Sequence, residues 1–144
     1  MANEHTLLTQ KTLPVSRTCA NGTGIEKGSV LKSTDPSTVI ITSASYDPVA
    51  GILYTEKVAN DGQQAAVLTG PGDELRGIAS GSIGQGDPLM TADAAFPNYL
   101  VSVKSKNALE ISGGSIIGDS LEVATAGQTF KYVLNIRSVP GDIA

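Results

Sequence analysis

His5 and Cys19 are the only imidazole and the only thiol in this chain of 144 residues. A Ser-His-acid or Cys-His site needs its histidine held rigidly by packing and by further hydrogen bonds. His5 lies in the polar stretch MANEHTLLTQ, which has no apolar period, so it is expected on the surface of a tail. Cys19 stands in the run Val15-Ser16-Arg17-Thr18-Cys19, whose alternation places it in a strand as a small buried apolar residue. Arg17 is its one basic neighbour, too little to make a reactive thiolate. A single His and a single Cys cannot supply a zinc cage of nitrogen and sulfur ligands.

The carboxylates offer no better site. Asp35, Asp47, Asp61, Asp73, Asp87 and Asp93 each fall at a turn signal, where aspartate ordinarily bonds the local backbone. No DxDxDG loop accompanies them. GPGDELRG (Gly70–Gly77) and GSIGQGD (Gly81–Asp87) are rich in glycine but lack the Lys-Ser/Thr of a phosphate-binding loop. The expectation is a protein without catalytic residues, metal or cofactor. That leaves the elements.

After Pro14, short runs rich in β-formers alternate with turn signals. Ser29–Lys32 leads to Asp35-Pro36, Thr38–Thr42 to Asp47-Pro48, and Val49–Val58 to Asn60-Asp61-Gly62. Gln64–Thr69 and Leu75–Ala79 follow, then Tyr99–Lys104, Ala108–Ser112, Ile116–Val123 and Gln128–Arg137. Asn21-Gly22 and Gly113-Gly114 read as turns. Such spacing predicts an all-β barrel or sandwich. At most a turn or two of helix fits at Asp93–Phe96 or Glu56–Asn60. Residues 1–14 are set apart as an extended N-terminal arm with no partner strand, and residues 15–144 form the β-rich domain.

The domain repeats itself. GIEKGSVLKSTD (Gly24–Asp35) is echoed by SIGQGDPLMTAD (Ser82–Asp93), with Ile25, Gly28, Leu31 and Asp35 answered by Ile83, Gly86, Leu89 and Asp93. Downstream, Gly51 matches Gly118, Gly62 matches Gly127, and Val67-Leu68 matches Val133-Leu134. This predicts two related β-lobes, over roughly 22–80 and 81–137, with Ala94–Gly114 an insert in the second. Gly28, Gly51, Gly62, Gly86 and Gly118 are read as backbone positions at turns or close approaches, not as ligand positions.

Composition narrows the classes. Aromatic residues are 4% of the chain and Trp is absent, so the core must be aliphatic and thin, which favours an oligomer or a docked protein. A net charge of −4 without a basic cluster argues against nucleic acid. No apolar run approaches the roughly 20 residues of a membrane span. The polar start, with an acid at Glu4, does not read as a secretory signal, and one cysteine rules out an internal disulfide framework. These features fit synthesis in a reducing cytoplasm.

The succession I-x-x-G-x-x-L, then D-P-x-x-G-I-L-x-x-E-x-V-A-x-D-G-x-x-x-x-V (Asp47–Val67), I-x-x-G-D-x-L (Ile83–Leu89) and I-I-G-x-x-L-E-x-A-x-x-G (Ile116–Gly127) resembles the capsid decoration, or cement, proteins of tailed bacteriophages. The resemblance spans about residues 22–137. It implies a compact homotrimer on the outer surface of the expanded phage head, made in the host cytoplasm. There it would clamp neighbouring major capsid protein subunits against internal DNA pressure, with neither nucleic acid nor membrane as partner. It also implies an arm along the capsid, here Asn3, Glu4, His5, Thr6, Leu7, Leu8 and Thr9. The competing class is a carbohydrate- or surface-binding β-module on a virion. Such sites use exposed aromatic platforms, for which four Tyr and two Phe are a small stock. A carboxylate enzyme is disfavoured by the missing His and Cys partners.

Overall fold

The computed structural model describes residues 4–20, 22, 24–35, 37–42, 48–92, 98–103 and 115–138, and of Ser138 the backbone alone. They form eleven strands: β1 (Thr6–Thr9), β2 (Val15–Arg17), β3 (Val30–Asp35), β4 (Thr38–Ile41), β5 (Val49–Leu53), β6 (Ala65–Leu68), β7 (Glu74–Ala79), β8 (Pro88–Thr91), β9 (Tyr99–Ser102), β10 (Ser115–Ser120) and β11 (Thr129–Ser138). The fold is all-β, and no α-helix occurs among the described residues. Glu56–Asn60 forms no helix but a bridge and a turn, while Asp93–Phe96 and Ala108–Ser112 lie outside the described residues.

One sheet runs β1-β7-β11-β10-β8-β9, and β9 returns to pair in parallel with β7 at Ile78–Tyr99 and Ala79–Leu100. Five of its strands therefore close into a barrel, which removes sheet edges that would otherwise stay unpaired. The other sheet runs β2-β6-β5-β3-β4, and a single parallel bridge, Thr18–Thr38, links its two end strands. The two orders are the same topology written twice. Strands β2 to β6 of the first unit correspond to β7 to β11 of the second.

The glycine phrase builds the same local structure in both units. Ile25 bridges Lys57, as Ile83 bridges Ala124. Ser29 N–H donates to Glu26 C=O, as Asp87 N–H donates to Gly84 C=O. The third position of each turn holds Gly28 (φ 90°) or Gly86 (φ 82°), a conformation that disfavours any side chain. Leu31 and Leu89 follow, both fully buried.

Strand pairing moves the boundaries of the repeat. β7 bonds to β11 and β9, so it opens the second unit rather than ending the first, and the units run from Val15 and from Glu74 instead of 22–80 and 81–137. Leu53 faces Val67 where Ser120 faces Tyr132, so Val67-Leu68 corresponds to Tyr132-Val133, one residue earlier than the sequence match. The supposed insert Ala94–Gly114 contains β9, the counterpart of β4, whose pairing with β7 closes the barrel; 94–97 and 104–114 lie outside the described residues.

The main core joins both units, with Val30, Val49, Ile52 and Leu68 of the first packed among Leu75, Leu89, Leu100, Ile117, Phe130, Tyr132 and Leu134 of the second. A second cluster, Ile25, Leu31, Val39, Leu53, Ala65 and Val67, belongs to the first unit alone, with Cys19 half-buried beside it. The second unit carries the aromatic bulk, its Phe130 and Tyr132 rings lying 6.1 Å apart.

Gly51 and Gly118 sit where strands approach most closely. A Cβ there would lie 2.1 Å from Leu68 O and 2.0 Å from Val133 O, respectively. At Gly62 (φ 70°) a Cβ meets nothing within 4 Å, so only backbone strain opposes a side chain. Gly51→Ala and Gly118→Ala should each cost at least about 3 kcal/mol, and Gly62→Ala about 1 kcal/mol. Denaturant melts of the three variants check the order, and equal losses would refute it.

Candidate functional site

The N-terminal stretch is not a free arm. Its residues Thr6, Leu7 and Thr9 pair antiparallel with Arg76, Leu75 and Glu74 of β7, with a bulge between Leu7 and Thr9. The added strand is pinned at both ends. At its far end the buried Asp73 carboxylate accepts from the Lys11 N–H, from the Thr12 N–H at 2.9 Å and from the Thr12 hydroxyl at 2.6 Å. At its near end stands His5.

His5 is 5% exposed, the opposite of the surface residue its setting in the sequence suggests. Its Nε2 lies 2.7 Å from the Asn98 carbonyl oxygen, which can only accept, so Nε2 carries the proton. Nδ1 therefore accepts from the Tyr132 hydroxyl at 2.6 Å, and the two rings meet edge to face at 79°. The His5 N–H donates to Gly28 C=O at 2.8 Å, and the Asn98 side-chain oxygen accepts from Val30 N–H at 3.0 Å. The His5 ring thus ties β1 to β11 and to the start of β9, and the His5 backbone N–H ties it to the glycine turn of the first unit.

Two glycines make the room. A Cβ on Gly28 would lie 2.2 Å from His5 O, and one on Gly77 would crowd both Tyr132 and the His5 ring. Burial lowers the His5 pKa from 6.5 to about 4, a shift the hydrogen bond to Asn98 partly offsets. Burial likewise pushes the Tyr132 hydroxyl up. The pair is built to stay neutral.

Of the residues assigned to the arm, Asn3 lies outside the described residues. Glu4 lines a cleft between the units, Leu7 packs on the main core, and Thr6, Leu8 and Thr9 are exposed. Cys19 is half-buried beside the core cluster of the first unit, just past the end of β2. Asp35 and Asp61 cap their own turns, and these bonds lower their pKa values: the Ser37 and Thr38 amides act on Asp35, and the Lys57 ammonium and Gln63 amide on Asp61. Lys57 itself is buried, its Nζ 2.6 Å from Asp61. Asp87 accepts from Gly84 N–H and from Ser102 Oγ. Asp73 departs from the rule, bonding residues far away in the chain; Asp47 and Asp93 lie outside the described residues. Asp73, Asn98, Tyr132 and Gly77 are the residues that sequence reasoning missed. A glycine inside the strand ELRGIA was the one local sign of a close approach.

No protein-family model matches the chain, and no curated protein matches it in sequence. Among solved structures it is similar to the N base of the head fibre gp8.5 of bacteriophage phi29, with a TM-score of 0.52. The likeness covers 85% of this chain and 93% of that one, at 13% sequence identity. The two share a fold. At that identity nothing more is carried over directly.

Two predictions follow from the His5 cluster. Above pH 6.5 His5 is neutral folded and unfolded, and contributes no pH dependence. Between pH 6.5 and about 4 the unfolded chain binds a proton that the folded one refuses, so stability falls as pH falls, by roughly 3 kcal/mol in all. Below that window His5 causes no further loss. Urea melts at pH 7, 5.5 and 4 should show this slope in the native chain and lose it in His5→Gln, which keeps the carboxylate contributions. Deleting residues 2–12 removes β1, His5 and the Asp73 partners together. A loss of more than about 3 kcal/mol, or failure to fold, is expected; an unchanged melting temperature would contradict the pinned strand.

Proposed function

We propose that this protein is a structural component of a phage virion, seated on the outer surface of the head, where it clamps neighbouring major capsid protein subunits as a trimer. The observation that carries the reading is the fold likeness to the phi29 head-fibre base, which extends over 93% of that chain. One feature of this chain agrees with a structural role: its sole imidazole is committed to Tyr132 and Asn98 inside the molecule and holds strands together.

The architecture suits a clamp in physical terms. One hydrophobic core packs residues of both units together, which suits a part that must bear load. Stable interfaces bury about 1,200–2,000 Å². Repetition over a shell multiplies modest contacts through avidity. The work is mechanical, the partners are the major capsid protein and other copies of this chain, and no reaction is catalysed.

The test uses heads assembled from the major capsid protein of the same genome. The purified chain should co-pellet with expanded heads, raise their resistance to heat or chelator, and give density at three-fold or quasi-three-fold positions in an electron-microscopy reconstruction. Absence from the pellet would overturn the reading, and density elsewhere on the head would overturn the trimer.

A further inference from the structure

The two units close differently. In the second, β9 pairs with β7 at Ile78–Tyr99 and Ala79–Leu100, and the Ser80 N–H goes on to donate to Leu100 C=O. By strand register, Thr18, Ala20 and Val39 of the first unit stand where Ile78, Ser80 and Leu100 stand in the second. The first seam has the Thr18–Thr38 bridge and a bond from Val39 N–H to Thr18 C=O, and then it parts. The Val39 carbonyl receives no bond from Ala20. A recess of about 460 Å³ lies at the parting, among Cys19, Ile25, Glu26, Val39, Ile40 and Ile41. Its walls can be reached, for Ile40 and Glu26 are exposed and Cys19 and Ile41 only half-buried.

The second unit carries the opposite shape. Leu121 and Val123, 39% and 72% exposed, are the closest-spaced pair of exposed large apolar residues in the described sequence. Their loop is fixed in place. The Ser120 hydroxyl donates to Glu122 C=O and accepts from its N–H, and Ala124 bridges Ile83. Leu121 N–H donates to Lys131 C=O, and Glu122 Oε1 accepts from Lys131 N–H. An anchor ordered in advance loses little entropy on docking. Arg76, 3.9 Å from Glu122, and Lys131 leave an excess of positive charge beside the pair, while the recess carries Glu26.

A three-fold ring is closed by heterologous contacts, in which each copy offers one patch to one neighbour and a different patch to the other. This fold has such a pair of patches, one on each unit. We propose that the Leu121–Val123 loop of one copy seats in the Cys19–Ile40 recess of the next, with Glu26 facing Arg76 and Lys131, and that this contact builds the trimer. The seam of the second unit is bonded shut, so copies join in one direction only, first unit to second. This inference rests on the trimeric reading above and names the surfaces that would assemble it.

Cys19 is the only thiol in the chain, so cross-linking tests the seating directly. The native chain, Val123→Cys, Leu13→Cys and the double variant Val123→Cys with Cys19→Ser are treated in concentrated solution with a short bismaleimide. Each is checked by a thermal melt and run on a denaturing gel. Val123→Cys should join to Cys19 of the next copy and give two- and three-chain species, while the native chain and the double variant stay single. Leu13, 84% exposed, controls for chance collision, and Leu13→Cys should link at least about 10-fold less. Val123→Asp would put a carboxylate against apolar walls and Glu26, and should weaken self-association in sedimentation at least about 10-fold. Linkage of Val123→Cys no greater than that of Leu13→Cys, or unchanged association of Val123→Asp, overturns this interface. Efficient linkage of the native chain through Cys19 alone would mean that like patches meet, and overturns it as well. None of these outcomes touches the head-binding reading, which co-pelleting of the native chain with heads decides separately.

Discussion

A β-strand has two hydrogen-bonding edges, and β7 uses one of them twice. β11 takes the whole of its inner edge from Glu74 to Ile78. On the other edge β9 takes Ile78 and Ala79, which closes the barrel, and β1 takes Glu74 to Arg76. The two claimants run into each other near Gly77. A gap at such a junction would leave backbone groups unpaired beside an aromatic core, a cost of a kilocalorie or more per group, about 1–3 kcal/mol. His5 from one side and Asn98 from the other fill the junction, with the Tyr132 hydroxyl beneath. Asn98 takes the strained φ of 68° there, which asparagine tolerates better than most residues.

The repeat explains why, among the described residues, only the second unit receives an added strand. By strand pairing, Arg17 stands in the first unit where Gly77 stands in the second, and Val67 where Tyr132 stands. The first unit has neither the space for an imidazole nor a hydroxyl to bond it. Pro14, just before β2, also withholds a donor from that edge. The two units share one architecture, and a few residue differences make the second a receptor for the N-terminus.

What was legible in the amino-acid order is what neighbours in the chain decide. Alternating β-formers between turn residues specify strands, and glycine at the third turn position specifies positive φ at Gly28 and Gly86. Two copies of one phrase therefore announce two like units, and the absence of a helical period announces an all-β fold. The unit boundaries, the one-residue offset at Val67 and the place of β9 were not legible, because they depend on which strands pair, and pairing here joins residues distant in the chain. Least legible was the N-terminus. Thr-Leu-Leu-Thr has no partner within reach, and a lone histidine among polar residues looks solvated. Only when β7 offers half an edge, Gly77 leaves a space and Tyr132 and Asn98 converge from opposite ends of the second unit does burying His5 cost less than leaving the seam open. The tertiary structure decided that, since the free energy of a buried polar group depends on the partners that surround it, and none of those partners is its neighbour in sequence.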